Sequence, residues 1–408
     1  MTQLQVSVVI VSRQRPEELT LCLKALARLS YPTYELIVVA DPAGLKAVEQ
    51  LPFSPMIKSV PFDEANIAAA RNRGASQAAG EIVAFIDDDA QPETRWLDHL
   101  TAPFADPAVA AAGGHVLGRN GISLQWGGRI IDHRGHEQDL PLTGENATIL
   151  TPPSGTAVKT EGTNMAVRRS VLAQMGGFDP AFKFYLDETD LNMRLGNMGV
   201  STAIVPLAQV HHGYAASNTR RKDRAVRDLH QIAASRAVFL RKHCPELDHS
   251  PLLDADFDEQ RTRIISQLVK GLLEPRDIRR LVKSWQTGIE DGRMRPLTHP
   301  WPLPAAQSDF LPFQPLSSGG VRIIKGFLAN AAKLRAQAAA AVAEECSVSL
   351  FLFSRTTLYQ TVRFHPDGYW EQAGGLWGKS ARTDSLFSPW RLASRVNREM
   401  DRIGRSRF

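Results

Sequence analysis

Residues 81–89 read EIVAFIDDD, an apolar run that passes directly into three aspartates. β-Branched and aromatic side chains favour strands, and a run that is apolar throughout is typical of a strand covered on both faces. In an open α/β sheet, ligands bind at the carboxyl ends of the parallel strands. The junction with Asp87, Asp88 and Asp89 is therefore predicted to lie at a ligand site.

The segments before this junction alternate between strand and helix patterns. Residues 6–11 and 35–40 are predicted strands of continuous apolar character. Between them, Pro16 stands where a helix can start, and leucines recur at helical spacing. A further helix is predicted from about Glu64, with small residues that let it lie close on the sheet, and Gly80 is placed to end it. This alternation predicts the α/β class, with a Rossmann-like, mostly parallel sheet flanked by helices. Farther along, a loop is predicted up to about Thr156, and residues 220–243 are predicted as a basic amphipathic helix.

The three aspartates are predicted to face a cation, because adjacent carboxylates repel one another. Alternate residues of an extended segment point the same way, so Asp87 and Asp89 can address one site while Asp88 faces elsewhere. A hard ion held by one or two carboxylates keeps positions for water and diphosphate oxygens, as Mg²⁺ or Mn²⁺ prefers. The alternative is that the aspartates cap the next helix, with Glu93 in its first turn.

A second acidic group lies within residues 185–191, YLDETDL. The pattern places Asp187, Glu188 and Asp190 at the start of a helix, where backbone N–H groups favour negative charge. A carboxylate there can serve as the general base that takes the proton from an acceptor hydroxyl. The alternative is a helix N-terminus in which Arg194 pairs with Asp190.

Composition limits the compartment and the partners. At 408 residues with 43% hydrophobic content, the chain exceeds the usual size of one core, so we expect a large domain plus an appended region. No apolar run is long enough for a signal peptide or a membrane span, and the three cysteines are far apart. These features predict a cytoplasmic protein. Among the basic residues after Lys379, Trp390 near Phe387 makes no base-stacking pattern, so we expect no nucleic-acid partner.

Several motifs occur in the order found in one enzyme family. Their residues are Asn66, Arg71, Asn72, Gly74, Asp87, Asp89, Gly162, Asn164, Gly176 to Asp179, and Asp187 to Leu191. With these motifs, residues 4–243 resemble the family 2 glycosyltransferases of the GT-A fold, an inverting group that includes rhamnosyltransferases. The resemblance implies a transferase domain in residues 1–245. The helix and strand patterns that follow predict a helical or mixed accessory region of unknown role in residues 246–408.

The resemblance also implies an activity. It is the metal-dependent, inverting transfer of a sugar from a nucleotide-diphosphate sugar to the hydroxyl of a glycan, a lipid-linked molecule or another acceptor, in polysaccharide or glycoconjugate synthesis. By similarity, the donor is bound by Ser12, Asp41, Arg71, Asp87 and Asp88, with Arg71 near the diphosphate. The sugar and acceptor pocket contains Gly162, Asn164 and Asp190. Asp87, Asp89 and His211 hold Mg²⁺ or Mn²⁺.

Two assignments stay open at this point. The family's acidic pair usually ends in aspartate, whereas this sequence has Asp187 followed by Glu188, so the base is either Glu188 or Asp187. A histidine packed in the core is the alternative to the ligand role of His211, and His212 is expected to contribute less.

The sequence also bears on three other functional interpretations. A nucleotidyltransferase also places carboxylates at strand ends, but it needs a glycine-rich loop that residues 12–16 lack. The alternative function is that of a scaffold or binding module, formed by a degenerate transferase domain. The intact acidic groups argue against this alternative. The basic segment at residues 220–243 and the arginines after Lys379 are compatible with peripheral contact at the inner face of an anionic membrane.

Overall fold

The computed structural model describes residues 3–142, 144–213, 219–221, 223–297 and 302–408. The strands of these residues are, in chain order, β1 (Val6–Ser12), β2 (Tyr34–Ala40), β3 (Ile57–Pro61), β4 (Ile82–Asp87), β5 (Ala90–Pro92), β6 (Val109–Leu117), β7 (Leu124–Trp126), β8 (Arg129–Asp132), β9 (Glu137–Asp139), β10 (Thr148–Leu150), β11 (Thr156–Lys159), β12 (Met165–Arg168), β13 (Ser201–His212), β14 (Val321–Phe327), β15 (Ser347–Ser354), β16 (Thr361–His365) and β17 (Tyr369–Gly375). The α-helices are α1 (Pro16–Leu26), α2 (Pro42–Glu49), α3 (Ile67–Gln77), α4 (Trp96–Thr101), α5 (Arg169–Gln174), α6 (Asp187–Asn197), α7 (His230–His243), α8 (Ser250–Val269), α9 (Pro275–Met294), α10 (Ala331–Ala343) and α11 (Leu392–Arg407).

A mixed sheet of ten strands forms the centre of the N-terminal part. Its path runs β10-β13-β6-β12-β4-β1-β2-β3, while β5 pairs with β13 and β7 with β6. Along β1, Val8 and Ile10 pack on the face covered by α1 and α4, whereas Val9 packs on the opposite face with α3 and α6. Both faces are therefore covered by helices, as continuous apolar strands require. The predicted α/β class is confirmed.

The register of the parallel strands brings the predicted site residues to one edge of the sheet. Val11 in β1 lies opposite Asp87 in β4, and Ser12 lies opposite Ala40 in β2. Asp41 follows directly as the N-cap of α2, where its side chain accepts a hydrogen bond from the Gly44 N–H. Because these strands run in parallel, their carboxyl ends meet at the same edge.

Helix α3 is shorter than the sequence pattern indicated. It begins at Ile67 after the Asn66 cap and ends at Gln77, whereas the prediction placed its start near Glu64 and its end at Gly80. The predicted close approach of its small residues to the sheet is present, since a Cβ on Gly74 would lie 2.4 Å from Val9 Cγ1. Gly80 does not end the helix but allows the chain to pass close to β1. A Cβ at this position would lie 2.7 Å from the backbone nitrogen of Ser7.

The stretch up to Thr156, predicted as loop, contains short strands. The strands β11, β8 and β9 form a separate three-stranded antiparallel sheet. Helix α6 packs against β11, and a Cβ on Gly196 would lie 2.3 Å from the Thr156 carbonyl oxygen. This small sheet therefore packs against α6 near its carboxyl end.

Helices α7, α8 and α9 join the two parts of the chain. The basic segment predicted as one helix over residues 220–243 is helical only from His230. Helix α9 packs closely on α7, since Cβ atoms on Gly288 and Gly292 would lie 2.3 Å from the carbonyl oxygens of His230 and Ala234. The regions on either side of the predicted boundary at residue 245 are thus in tight contact.

The chain then returns along the N-terminal part to a second sheet. The backbone N–H groups of Phe313 and Leu316 donate to the carbonyl oxygens of Tyr34 and Ala27, at 2.8 and 2.7 Å. The strands that follow form a sheet in the order β14-β15-β17-β16, with α10 packed on it. Helix α11 lies between this sheet and strand β13.

Some of the cations that motivated the expected membrane contact are paired with carboxylates of the protein. Arg236 pairs with Asp256, Lys242 with Asp179, and the fully buried Arg395 with Glu399. Part of the positive charge of these segments is therefore balanced inside the protein, while Arg227 and Arg391 are exposed. Among the described helices, none has the length and apolar character needed to cross a membrane.

Candidate active site at the carboxyl ends of the strands

Asp87, Asp89 and His212 form a group with the chemistry of a metal site. One ligand atom of each side chain lies within 4.8 Å of the others, and His212 Nε2 is 3.3 Å from Asp89 Oδ1. The predicted convergence of Asp87 and Asp89 is thus present, with Asp88 on another side. Two carboxylates and one imidazole, close enough to share one ion, fit a divalent metal.

His211 is not part of this group, and His212 takes the position expected for it. The ring of His211 is buried and its Nε2 lies 2.8 Å from Glu93 Oε1. Successive side chains of a strand point to opposite faces, so β13 can direct only one of the two histidines to the carboxylates. His212 is held there by Gln125, whose Oε1 is 3.2 Å from Nδ1, and by the ring of Trp126 at 5.6 Å.

Asp88 faces into the protein and pairs with Arg15. The Asp88 side chain is fully buried, and Arg15 places Nη2 at 3.0 Å from Asp88 and Nη1 at 3.4 Å from Asp89. Burial raises the pKa of Asp88 to about 7, Arg15 opposes this rise, and Asp89 adds to it. The structure thus gives no support for the predicted contact of Asp88 with the nucleotide-sugar donor. Arg15, which sequence reasoning missed, bridges Asp88 and Asp89.

Arg71 joins the two acidic groups that the sequence placed far apart. Its Nη2 lies 3.0 Å from Asp87 Oδ1, and its Nη1 lies 2.5 Å from Asp187 Oδ2. The guanidinium is almost completely buried and rests against the backbone of Gly162, where a Cβ would lie 2.5 Å from Nη2. Gly162 thus contributes to the site by admitting Arg71. Because Arg71 is already paired with two carboxylates, a contact with diphosphate would require it to rearrange.

The two candidate bases have different environments. Burial raises the pKa of Asp187 to about 7, with Arg71 opposing the rise and Glu188 and Asp87 adding to it. For Glu188, burial alone would raise the pKa, but Lys159 and Arg71 outweigh it and hold the pKa below its ordinary value. The Glu188 side chain is 15% exposed and that of Asp187 is 3% exposed. Glu188 is therefore the more accessible and the more fully ionised of the pair at neutral pH.

Lys159 is a second residue that sequence reasoning missed. Its Nζ lies 3.4 Å from Glu188 Oε1 and 3.1 Å from Glu161 Oε1. Burial would lower the pKa of Lys159, but Glu161 and Glu188 outweigh this and raise it, so the ammonium stays charged. Arg129 adds a second cation, paired with Glu161 and Glu137. The last residue of a short, weakly patterned strand gave no signal in the sequence.

Asn164 and Asp190, predicted for the sugar and acceptor pocket, are structural. The Asn164 Oδ1 accepts a hydrogen bond from Trp96 Nε1 at 2.8 Å, and its Nδ2 donates to the carbonyl oxygens of His115 and Ala208 at 2.9 and 2.8 Å. Asp190 is fully buried and pairs with Arg194, as the alternative interpretation held, and with Lys242 and His243. Burial alone would raise the pKa of Asp190, but these cations outweigh it and hold the pKa far below its usual range. Both side chains are fully buried, and their place in a sugar or acceptor pocket stays a prediction.

Ser12 and Asp41 lie at the predicted edge of the sheet, but Asp41 is already bonded to the backbone. Its two carboxylate oxygens accept from the N–H groups of Gln14 and Gly44, at 3.1 and 3.0 Å. Gln14 has a φ of 60°, a conformation that non-glycine residues adopt rarely. Asp41 therefore holds the loop after β1 in shape, and its contact with a nucleotide stays a prediction.

Curated proteins are similar to part of the chain. An O-antigen biosynthesis protein of Myxococcus xanthus is 27% identical over 230 residues, which are 54% of this chain and 18% of that protein. A pre-mycofactocin glycosyltransferase of Mycobacterium tuberculosis is 30% identical over 148 residues, which are 36% of this chain and 30% of that protein. The chain thus spans less than a third of the length of either relative.

The crystal structure of GalNAc-T7 with UDP, GalNAc and Mn²⁺ aligns with a TM-score of 0.42 and 16% identity, over 58% of this chain and 48% of that chain. Residues 7–176 match the family model described as Glycosyl transferase family 2. The motifs and the sheet agree with this match, and residues 7–176 are similar to the domains of glycosyl transferase family 2.

Proposed function

We propose that the protein transfers a sugar from a nucleotide-diphosphate sugar to an acceptor hydroxyl, with inversion at the anomeric carbon and with a divalent metal ion. The observation that carries the proposal is the position of Arg71, whose guanidinium bonds Asp87 of one acidic group and Asp187 of the other. One buried cation thus holds the two groups next to each other. A sugar donor bound at one group and an acceptor bound at the other would be close enough for a direct displacement.

The donor side is proposed at Asp87, Asp89 and His212. A bound metal ion would neutralise the diphosphate and stabilise the charge that develops on it as the bond to the sugar breaks. The imidazole favours Mn²⁺ over Mg²⁺, since Mg²⁺ prefers oxygen ligands. His212 replaces His211 in the predicted ligand set. Arg15, at 3.4 Å from Asp89, supplies positive charge beside this group.

The acceptor side is proposed at Glu188. An ionised carboxylate can take the proton of the attacking hydroxyl, and Lys159 and Arg71 favour the ionised form of Glu188. Asp187 is bound to Arg71 at 2.5 Å and would serve to position the guanidinium. The name of the Myxococcus xanthus relative, an O-antigen biosynthesis protein, favours a glycan as the acceptor. Contact with a membrane is not part of the proposal, because several of the cations that suggested it are paired with carboxylates of the protein.

The test compares Glu188→Gln with Asp187→Asn in sugar transfer. A panel of nucleotide-diphosphate sugars, screened by mass spectrometry, first identifies the donor. Glu188→Gln is then expected to lower kcat by about 10²- to 10⁴-fold, which is the usual contribution of a general base. Donor binding should change little. Glu145→Gln, which removes an exposed charge paired only with Arg405 in the described residues, serves as the control. A Glu188→Gln variant with the wild-type rate would exclude Glu188 as the base.

The scaffold alternative makes a different prediction. A degenerate domain would show no metal-dependent binding of nucleoside diphosphates in calorimetry. The proposed enzyme binds the nucleotide more tightly with Mn²⁺ than without it, since the ion links the carboxylates to the diphosphate.

A further inference from the structure

A fully buried cluster joins the C-terminal region to the strand that leaves the metal-site aspartates. Glu93 is 1% exposed, and Arg407 of α11 donates to it from Nε at 2.7 Å and from Nη2 at 2.6 Å. His211 Nε2 lies 2.8 Å from the same carboxylate. Trp370 of β17 covers both partners, with its ring 4.5 Å from the Arg407 guanidinium and 4.4 Å from the His211 ring. The cluster thus combines residues from β13, β17, α11 and the end of β5.

The short strand β5 connects this cluster to the metal group. Ala90 pairs with His212 and Gln91 with His211, so three residues set the register between β5 and β13. The pairing is closed at one end by the Gly213 N–H, which donates to the Asp89 carbonyl oxygen at 2.7 Å. At the other end, the Glu93 N–H donates to a carbonyl oxygen of β13 at 3.0 Å.

A strand this short depends on anchors at its ends. A slip of one residue in β5 and β13 would exchange the faces of neighbouring side chains. His212 would then point away from Asp89, and His211 would take its place. Glu93 is the anchor at the far end, and a buried carboxylate is stable as an anion only with a paired cation. That cation is Arg407, 314 positions later in the sequence.

We infer that Arg407 is a positioning residue for the metal site, acting through Glu93 and the register of β5 with β13. The inference rests on the proposed function, because it takes Asp87, Asp89 and His212 as the metal ligands. It also gives the C-terminal region a role: its sheet and helix hold the two metal-binding segments against each other.

The test measures Mn²⁺ binding to the full chain by the electron paramagnetic resonance signal of free Mn²⁺. Arg407→Met is expected to weaken binding about tenfold or more, as the loss of groups that orient metal ligands usually does. Arg407→Lys keeps the charge without the two-pronged contact and is expected to fall between. Arg405→Met is the control, since Arg405 lies on the same helix, is 72% exposed and pairs with Glu145 at the surface.

A double variant covers the case in which Arg407→Met does not fold. Glu93→Gln with Arg407→Met removes both charges, and the glutamine oxygen still accepts from His211. If the double variant folds and binds Mn²⁺ at least tenfold more weakly than the wild type, the inference is supported. Wild-type affinity in the double variant, or in a folded Arg407→Met, overturns it while leaving the proposed function intact. A wild-type chain that binds no Mn²⁺ would refute the metal site itself and the inference with it.

Discussion

Replacing Arg71 by methionine tests whether one guanidinium holds the two acidic groups together. Methionine keeps much of the length of the side chain and removes the charge that bonds Asp87 at 3.0 Å and Asp187 at 2.5 Å. The Asp87 side chain is 26% exposed and can be hydrated, so most of the cost comes from Asp187, which is 3% exposed. Breaking a buried ion pair costs about 3–5 kcal/mol, and we expect about 3 kcal/mol because Asp187 can take up a proton.

The pH dependence follows from the pKa of Asp187. Burial has already raised this pKa to about 7, Arg71 opposes the rise, and without Arg71 the pKa rises further. A carboxyl whose pKa is raised on folding binds its proton more tightly in the folded state, so its unfavourable contribution grows as pH rises through the folded pKa. The loss of unfolding free energy in Arg71→Met should therefore be larger at pH 8 than at pH 6.

Urea unfolding at both pH values provides the assay. Arg13→Met is the matched control, because Arg13 and Asp63 form an ion pair at the surface, which contributes about 0–1 kcal/mol. Adding Asp187→Asn to Arg71→Met should recover part of the loss at pH 8, since an amide needs no cation. A loss in Arg71→Met no larger than that of the control, or equal at both pH values, would refute this account of Arg71.

Other substitutions test separate parts of the structure. His212→Ala should weaken Mn²⁺ binding about 10- to 100-fold, measured by calorimetry; unchanged affinity would remove His212 from the ligand set. Trp96→Phe leaves the buried Asn164 Oδ1 without its donor and should lower the free energy of unfolding by about 1–3 kcal/mol in urea. Gly292→Val would place side-chain atoms against the Ala234 carbonyl oxygen and separate α9 from α7, so we expect a loss of about 1–3 kcal/mol in the same assay. A neutral result for either core substitution would contradict the packing described.

Structure was predicted best where all the relevant residues lie on a single strand. The apolar run that ends at Asp87 predicts a buried strand, and the alternation of an extended segment correctly separates Asp87 and Asp89 from Asp88. The start of α3 was predicted only approximately. The helix begins after Asn66, whose side chain accepts a hydrogen bond from the Ala69 N–H, and not near Glu64.

The sequence was least informative where a face or a partner depends on tertiary structure. Strand β13 is irregular, and its register with β6 shifts between Val205 and Gln209, so counting residues cannot say whether His211 or His212 faces the aspartates. Asn164 belongs to a family motif, but a motif gives the residue and not the direction of its side chain. The contact of Lys159 with Glu188 joins two separate elements, and no spacing along the chain indicates it.

The proposed transfer is tested most directly by incubating the full chain with a panel of nucleotide-diphosphate sugars and with glycan and lipid-linked acceptors that take up the sugar. The released nucleoside diphosphate is measured by mass spectrometry with Mn²⁺ and with a chelator. We predict release from at least one donor with Mn²⁺, its loss with the chelator, and a decrease of at least about 100-fold in Asp89→Asn. Release that persists in the chelator and in Asp89→Asn, or no release from any donor with Mn²⁺ present, would contradict the proposed transfer.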